Sequence, residues 1–267
     1  MKSRFEITHF EETSHSVWKI KPHSLTSEKA ILYLHGGGYS IGFEKGHWKF
    51  ISKMIDKTGF TVWAPDYPLI PDNCATDVFE FLIPVYKKMV QEYGAKNIIL
   101  IGDSSGGGMS LALTQLLIQE KIERPSQLIL LSPWLDVTLS NPLIDEYEKI
   151  DPLLDRNTLQ ALGEKYSGNL EQTHFFVSPV YGDIKQLPPT TLFIGSEELF
   201  LPDCKKLKGK AESEPIVFNY REFKGMVHNW MFHWLPEASY TMNMIANQMM
   251  LQPDEFDDPV NAGGKFW

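Results

Sequence analysis

Ser104 lies in Gly102-Asp103-Ser104-Ser105-Gly106, where glycine stands two positions before it and two after it. An apolar run, Ile98 to Ile101, leads in, and Met109, Ala112, Leu113, Leu116 and Leu117 follow at helical spacing. A buried strand that reverses into a helix strains the residue at the apex and brings neighbouring backbone close, which residues without a Cβ tolerate best. That is the G-x-S-x-G elbow, and it presents a serine hydroxyl as a nucleophile. Ser105 lacks the double glycine flank. A phosphate-binding loop is excluded, because no Gly-Lys-Ser/Thr ends the run and no G-x-G-x-x-G occurs. With serine at the apex, aspartate-nucleophile chemistry on halides or epoxides is disfavoured.

A serine needs a base to take its proton, and the base needs a carboxylate to hold its tautomer. The chain order expected with this elbow is nucleophile, acid, histidine. After the apolar run Thr190–Ile194 comes Gly195-Ser196-Glu197-Glu198, and after Ile216–Tyr220 comes Gly225-Met226-Val227-His228. Ser104, Glu198 and His228 supply the set. Glu197 is the second choice for the acid, and Asp203 reads as the first turn of the next helix, where a carboxylate complements the dipole.

An oxyanion needs backbone N–H groups aimed at it. Ala30–Leu34 is an apolar run that ends in His35-Gly36-Gly37-Gly38, and glycines at a strand's carboxyl end let backbone lie against a bound group. Gly36 and Gly37 N–H groups, with that of Ser105, are the predicted oxyanion hole. His35 reads as a neutral imidazole bracing this loop. His233 lies five residues after His228, the wrong spacing for one helical face, and no third ligand is near, so no metal site is expected.

These elements need a scaffold. Two strands are predicted within about residues 4–21, joined by residues 11–14, then alternating strands and helices: Ala30–Leu34, a helix over 46–57, Phe60–Ala64, a helix to about Tyr93 carrying Pro84, the elbow strand and helix, Gln127–Leu131, Thr190–Ile194, Ile216–Tyr220, and a C-terminal helix containing Met242, Met244, Met249 and Met250. The alternation predicts an α/β fold with a mostly parallel, doubly wound sheet flanked by helices and a site at the strands' carboxyl ends. Residues 1–251 read as one domain. Periodicity is weak over about 132–182 apart from a helix near 155–166, which suits a cover over the pocket. Residues 252–267 read as a flexible tail.

The chain has 267 residues, 25 basic against 34 acidic, a net charge of −9 and a pI near 5.4, so a nucleic acid partner has no electrostatic support. The start lacks the apolar run of a secretory signal, and no stretch reaches the length of a membrane span. Cys74 and Cys204 read as free thiols. A cytoplasmic protein is expected.

The His-Gly-Gly-Gly loop, the Gly-Asp-Ser-Ser-Gly-Gly elbow, Asp66-Tyr67 before a proline-bounded loop, and Gly225-Met226-Val227-His228 together resemble the hormone-sensitive-lipase-like esterases of the α/β-hydrolase fold, over roughly residues 30 to 250. The resemblance implies a carboxylesterase without cofactor, acting on a small-molecule ester, usually of short acyl chain, with the oxyanion hole in the first motif. An amidase or formamidase using the same triad is the alternative, followed by a non-catalytic ligand-binding relative. The chain departs from the family's pattern in three places: Ser105 stands where alanine is usual, the Glu197-Glu198 pair where aspartate is usual, and His35 comes too early to leave room for the helical cap often found in front of it. A reduced cap is therefore expected.

Overall fold

The computed structural model describes residues 4–24, 27–251 and 255–256. Its strands are β1 (Phe5–Glu12), β2 (His15–Pro22), β3 (Ala30–Leu34), β4 (Thr61–Pro65), β5 (Ile98–Asp103), β6 (Gln127–Leu131), β7 (Thr190–Gly195) and β8 (Phe218–Phe223). Its helices are α1 (Lys45–Thr58), α2 (Ala75–Tyr93), α3 (Ser105–Gln119), α4 (Ile144–Tyr147), α5 (Arg156–Ser167), α6 (Leu201–Ala211) and α7 (Pro236–Met250). The sheet runs β1-β2-β4-β3-β5-β6-β7-β8. β1 pairs antiparallel with β2 and β2 with β4, and every pair from β4 to β8 is parallel.

The central strands are apolar on both faces because both are covered. In β3 and β5, Leu32, Leu34, Ile98 and Leu100 join the core beneath α2, α3 and α6. The intervening Ile31, Tyr33, Ile99 and Ile101 point the other way, against Phe50, Ile51 and Met54 of α1 and Met242, Ile245 and Met249 of α7. This period of two is what a strand with two buried faces requires. Among the C-terminal methionines, Met242 and Met249 fill that core as expected, whereas Met250 is 43% exposed.

Local chemistry sets the ends. α1 begins in a capping box, with the Glu44 backbone N–H donating to His47 Nδ1 at 3.0 Å, and it stops at Gly59 in the left-handed region, φ 70°. α5 is capped by Asp155, whose carboxylate accepts from Thr158 N at 2.8 Å. Pro84 lies inside α2, which runs unbroken through it. β8 starts two residues later than the apolar run at Ile216 predicts, and its first pairing joins Phe218 to Thr190.

The weakly periodic segment 132–182 is largely folded onto the body. Trp134, Leu135, Val137 and Leu139 are buried, and Phe176 packs against Phe79 of α2 at 4.4 Å between ring centroids. Its order comes from side-chain hydrogen bonds: the Asp136 carboxylate accepts from Thr138 N and Oγ1 and from the Tyr181 hydroxyl. The predicted tail lies outside the described residues except for Glu255 and Phe256. Of these, Phe256 is 3% exposed.

Asp203 falls in the first turn of α6, as the dipole argument predicts, but it is 1% exposed. It accepts from Asn141 Nδ2 at 3.0 Å, and its Oδ2 has no partner. Burial pushes its pKa up to about 6 against the partial relief from Asn141. The folded state therefore holds this proton more tightly than the unfolded chain, and the associated stability is present at low pH and lost as pH rises through about 6. Asp203→Asn is expected to raise the unfolding free energy at pH 8 by about 1–2 kcal/mol, with the gap to the parent narrowing as pH falls to 5. Urea denaturation of the pair at both pH values checks it.

Candidate active site

Ser104 sits at the tip of the β5–α3 turn with φ 52° and ψ −122°, a strained conformation for a residue with a side chain. Its neighbours show why glycines flank it. A Cβ on Gly106 would come 2.1 Å from Leu34 O, and one on Gly102 2.2 Å from Gly106 O, so β3, β5 and α3 can meet only without side chains at these positions. Backbone bonds pin the apex: Ser104 N donates to Leu131 O, and Ser104 O accepts from Gly107, Gly108 and Trp134 N–H groups at 2.9–3.1 Å.

His228 arrives on the loop after β8 and Glu198 on the loop after β7. His228 Nε2 is 3.0 Å from Ser104 Oγ, and His228 Nδ1 is 2.9 Å from Glu198 Oε2. An ionised carboxylate only accepts, so it selects the Nδ1–H tautomer and leaves Nε2 free to accept the serine proton. Glu198 is fully buried, and its other oxygen accepts from Ser132 Oγ at 2.7 Å and Gly195 N at 2.6 Å. Glu197 is exposed. The structure thus brings Ser104, His228 and Glu198 together and leaves Glu197 outside.

The glycine loop departs from the sequence reading in one respect. Gly36 N–H donates to Asp103 Oδ1 at 3.1 Å, so it is committed and the expectation that it helps hold an oxyanion is corrected. Asp103 turns back beneath the loop, where a Cβ on Gly36 would lie 2.4 Å from its Oδ2. Gly37 and Ser105 N–H groups enter no hydrogen bond among the described residues. Gly37 has φ 126°, and a Cβ there would come 2.5 Å from Ile41 O.

His35 braces the loop as predicted. Its ring stacks on Tyr67, Nδ1 is 2.7 Å from Gly36 O, and the Tyr67 hydroxyl donates to His35 O. Burial lowers its pKa to about 3, aided by nearby His47 and against the carbonyl contact, which keeps the ring neutral.

Sequence reasoning missed a second layer. Asp103 accepts from the Tyr33 hydroxyl at 2.6 Å, from Gly36 N, and from Asn229 Nδ2 at 2.9 Å. Burial first, then the Asp103 charge, pushes the Tyr33 phenol well above its usual range. Asn229 adopts φ 51° and also donates its N–H to Ser132 Oγ, the group that bonds Glu198. One carboxylate therefore ties the loops carrying Gly36, Ser104 and His228 to one another. The available signal was position: Asp103 directly precedes the serine and Asn229 directly follows the histidine. Among the described residues no cluster suits a metal ion and no helix is long and apolar enough to cross a membrane. His233 stands on the surface, and Cys74 and Cys204 are free thiols.

Comparison with known proteins places the fold in a family. Residues 31–232 match the family described as alpha/beta hydrolase fold. An esterase of Acinetobacter venetianus is 34% identical over 225 residues, covering 83% of this chain and 74% of the relative. An acetyl-hydrolase of Streptomyces hygroscopicus is 30% identical over 216 residues, covering 79% and 71%. The solved structure of an esterase from the bacterial hormone-sensitive lipase family superposes with a TM-score of 0.86 at 25% identity, covering 92% of this chain and 84% of that one. With its sheet order, its elbow and these relatives together, the chain belongs to the α/β-hydrolase fold family, among the hormone-sensitive-lipase-like members.

Proposed function

We propose that the chain is a serine carboxylesterase that hydrolyses small, short-acyl carboxylic esters through an acyl-enzyme. The observation that carries this reading is the His228 ring spanning Ser104 Oγ at 3.0 Å and Glu198 Oε2 at 2.9 Å. Ser104 Oγ attacks the ester carbonyl carbon and its proton passes to His228 Nε2. The tetrahedral oxyanion is held by the Gly37 and Ser105 N–H groups. As the C–O bond to the alcohol breaks, His228 returns the proton to the leaving oxygen. Water then gives a proton to His228 and attacks the acyl carbon, and the carboxylic acid leaves with Ser104 restored. Glu198 steadies the imidazolium in both halves. The named relatives, an esterase and an acetyl-hydrolase, are in keeping with ester substrates and with a small acyl group.

Packing around the elbow supports the preference for short acyl chains. Trp134 stacks on Phe200, Phe200 meets His228 edge-on at 5.2 Å, and Tyr39 stacks on Tyr166 at 3.6 Å. All four rings apart from the histidine are under 2% exposed, so the interior beside the elbow is already filled. α5 lies over the glycine loop, with Leu162 Cδ1 2.9 Å from where a Gly38 Cβ would stand, which suits a small cover formed by the 132–182 segment. The test is turnover of p-nitrophenyl esters from acetate to laurate, with mass-spectrometric mapping of a serine-reactive phosphonate. Activity falling steeply beyond butyrate and a single adduct on Ser104 are the expected results. Adduct on another residue, or equal rates along the series, would count against the reading.

A further inference from the structure

Away from the triad, a cavity of about 480 Å³ opens between α1 and the loop that leads from His228 into α7. That volume lies within the roughly 300–1,000 Å³ of small-molecule pockets. Its wall is apolar and basic: Phe232, Trp234 and Met242 from the loop and α7, Lys49 and Lys53 from α1, together with His233. No carboxylate lines it, although the whole chain carries a net charge of −9. Trp234 is 95% exposed, and Lys49 Nζ lies 5.7 Å from its ring. Lys49 and Lys53 are one helical turn apart on the same face of α1, so like charges face each other there. Neither takes part in an ion pair among the described residues.

We propose that this groove binds a small amphiphilic monocarboxylate, its carboxylate between Lys49 and Lys53 and its apolar body against Trp234, Phe232 and Met242. A single anion relieves the repulsion between the two ammonium groups, and an apolar body covers an indole that is otherwise 95% exposed. The concavity favours one small molecule over a second copy of the chain or a lipid surface, both of which engage broader faces. The short acids that the proposed hydrolysis releases carry the same carboxylate on a smaller apolar body. The biological sense rests on that reading, but the binding test does not.

The test is a titration of the full chain with sodium octanoate. The signal is the difference in tryptophan fluorescence between the parent and Trp234→Phe, so occupancy near Ser104 does not register. A saturable, Trp234-dependent change is expected, weakened about tenfold in the exposed double variant Lys49→Gln/Lys53→Gln, with octan-1-ol binding about tenfold less tightly. An octanoate response unaltered by the lysine changes, matched by octan-1-ol, or missing altogether overturns the proposal. So does Trp234-dependent self-association in sedimentation velocity, or co-flotation with phosphatidylserine vesicles, in a protein that gives no octanoate response. Thermal midpoints of the variants within a few degrees of the parent exclude a folding defect. Loss of ester turnover in a protein that still binds octanoate would count against the esterase reading alone.

Discussion

Ser104→Ala is expected to lower kcat on p-nitrophenyl acetate by on the order of 10⁴-fold or more with KM changed only a few-fold, whereas Ser105→Ala stays within about threefold of the parent. The contrast rests on what each serine offers. Ser104 presents its hydroxyl to His228 Nε2 at 3.0 Å from a strained apex that backbone bonds from Leu131, Gly107, Gly108 and Trp134 hold in place. Alanine keeps the Cβ and the backbone strain, so the loss isolates the nucleophile. Ser105 is the first residue of α3, fully buried, and the part of it suited to catalysis is its N–H, which alanine retains. Steady-state kinetics of both variants, with matched circular dichroism spectra, check the pair. A comparable loss in Ser105→Ala would move the nucleophile by one residue.

That register was legible from the sequence because it is a packing constraint as well as a motif. Gly102 and Gly106 have no freedom to carry side chains where β3, β5 and α3 converge, and such a restriction leaves a mark at fixed spacing. The parallel core was legible for a similar reason: strands buried on both faces read as short apolar runs, as in Ile98–Ile101 and Leu128–Leu131. The antiparallel pairing of β1 and β2 follows from a two-residue turn at Thr13 and Ser14, both with positive φ.

Less was legible wherever a side chain acts across the fold. That Asp103 claims the Gly36 N–H depends on a carboxylate folding back from β5 under a loop 67 residues earlier, and glycine spacing carries no trace of it. The segment from Ser132 to Tyr181 showed little periodicity because Asp136, Ser178 and Tyr181 organise it by side-chain hydrogen bonds instead of a single apolar stripe. The burial of Phe256 is equally invisible in the sequence, where acidic neighbours dominate the local composition.

The acid was the other ambiguity, and it yields the second large effect. Glu198→Gln is expected to lower kcat by about 10³–10⁴-fold, while Glu197→Gln changes it less than about threefold. Glutamine is nearly the same size as glutamate and keeps one oxygen able to accept from Ser132 Oγ and Gly195 N, so the loop after β7 has no cause to move. The group facing His228 Nδ1 then becomes an amide that donates. It favours the tautomer with hydrogen on Nε2, and that nitrogen can no longer accept the proton of Ser104 Oγ. The imidazolium also loses its buried counter-charge. Glu198→Ala adds a vacated space and two unpaired donors to the same defect, so it is expected to lose stability as well as activity, which Glu198→Gln does not. Measuring kcat and the urea midpoint for all three variants separates the roles: activity lost with the midpoint kept in Glu198→Gln assigns tautomer control to Glu198, and an equal loss in Glu197→Gln would contradict it.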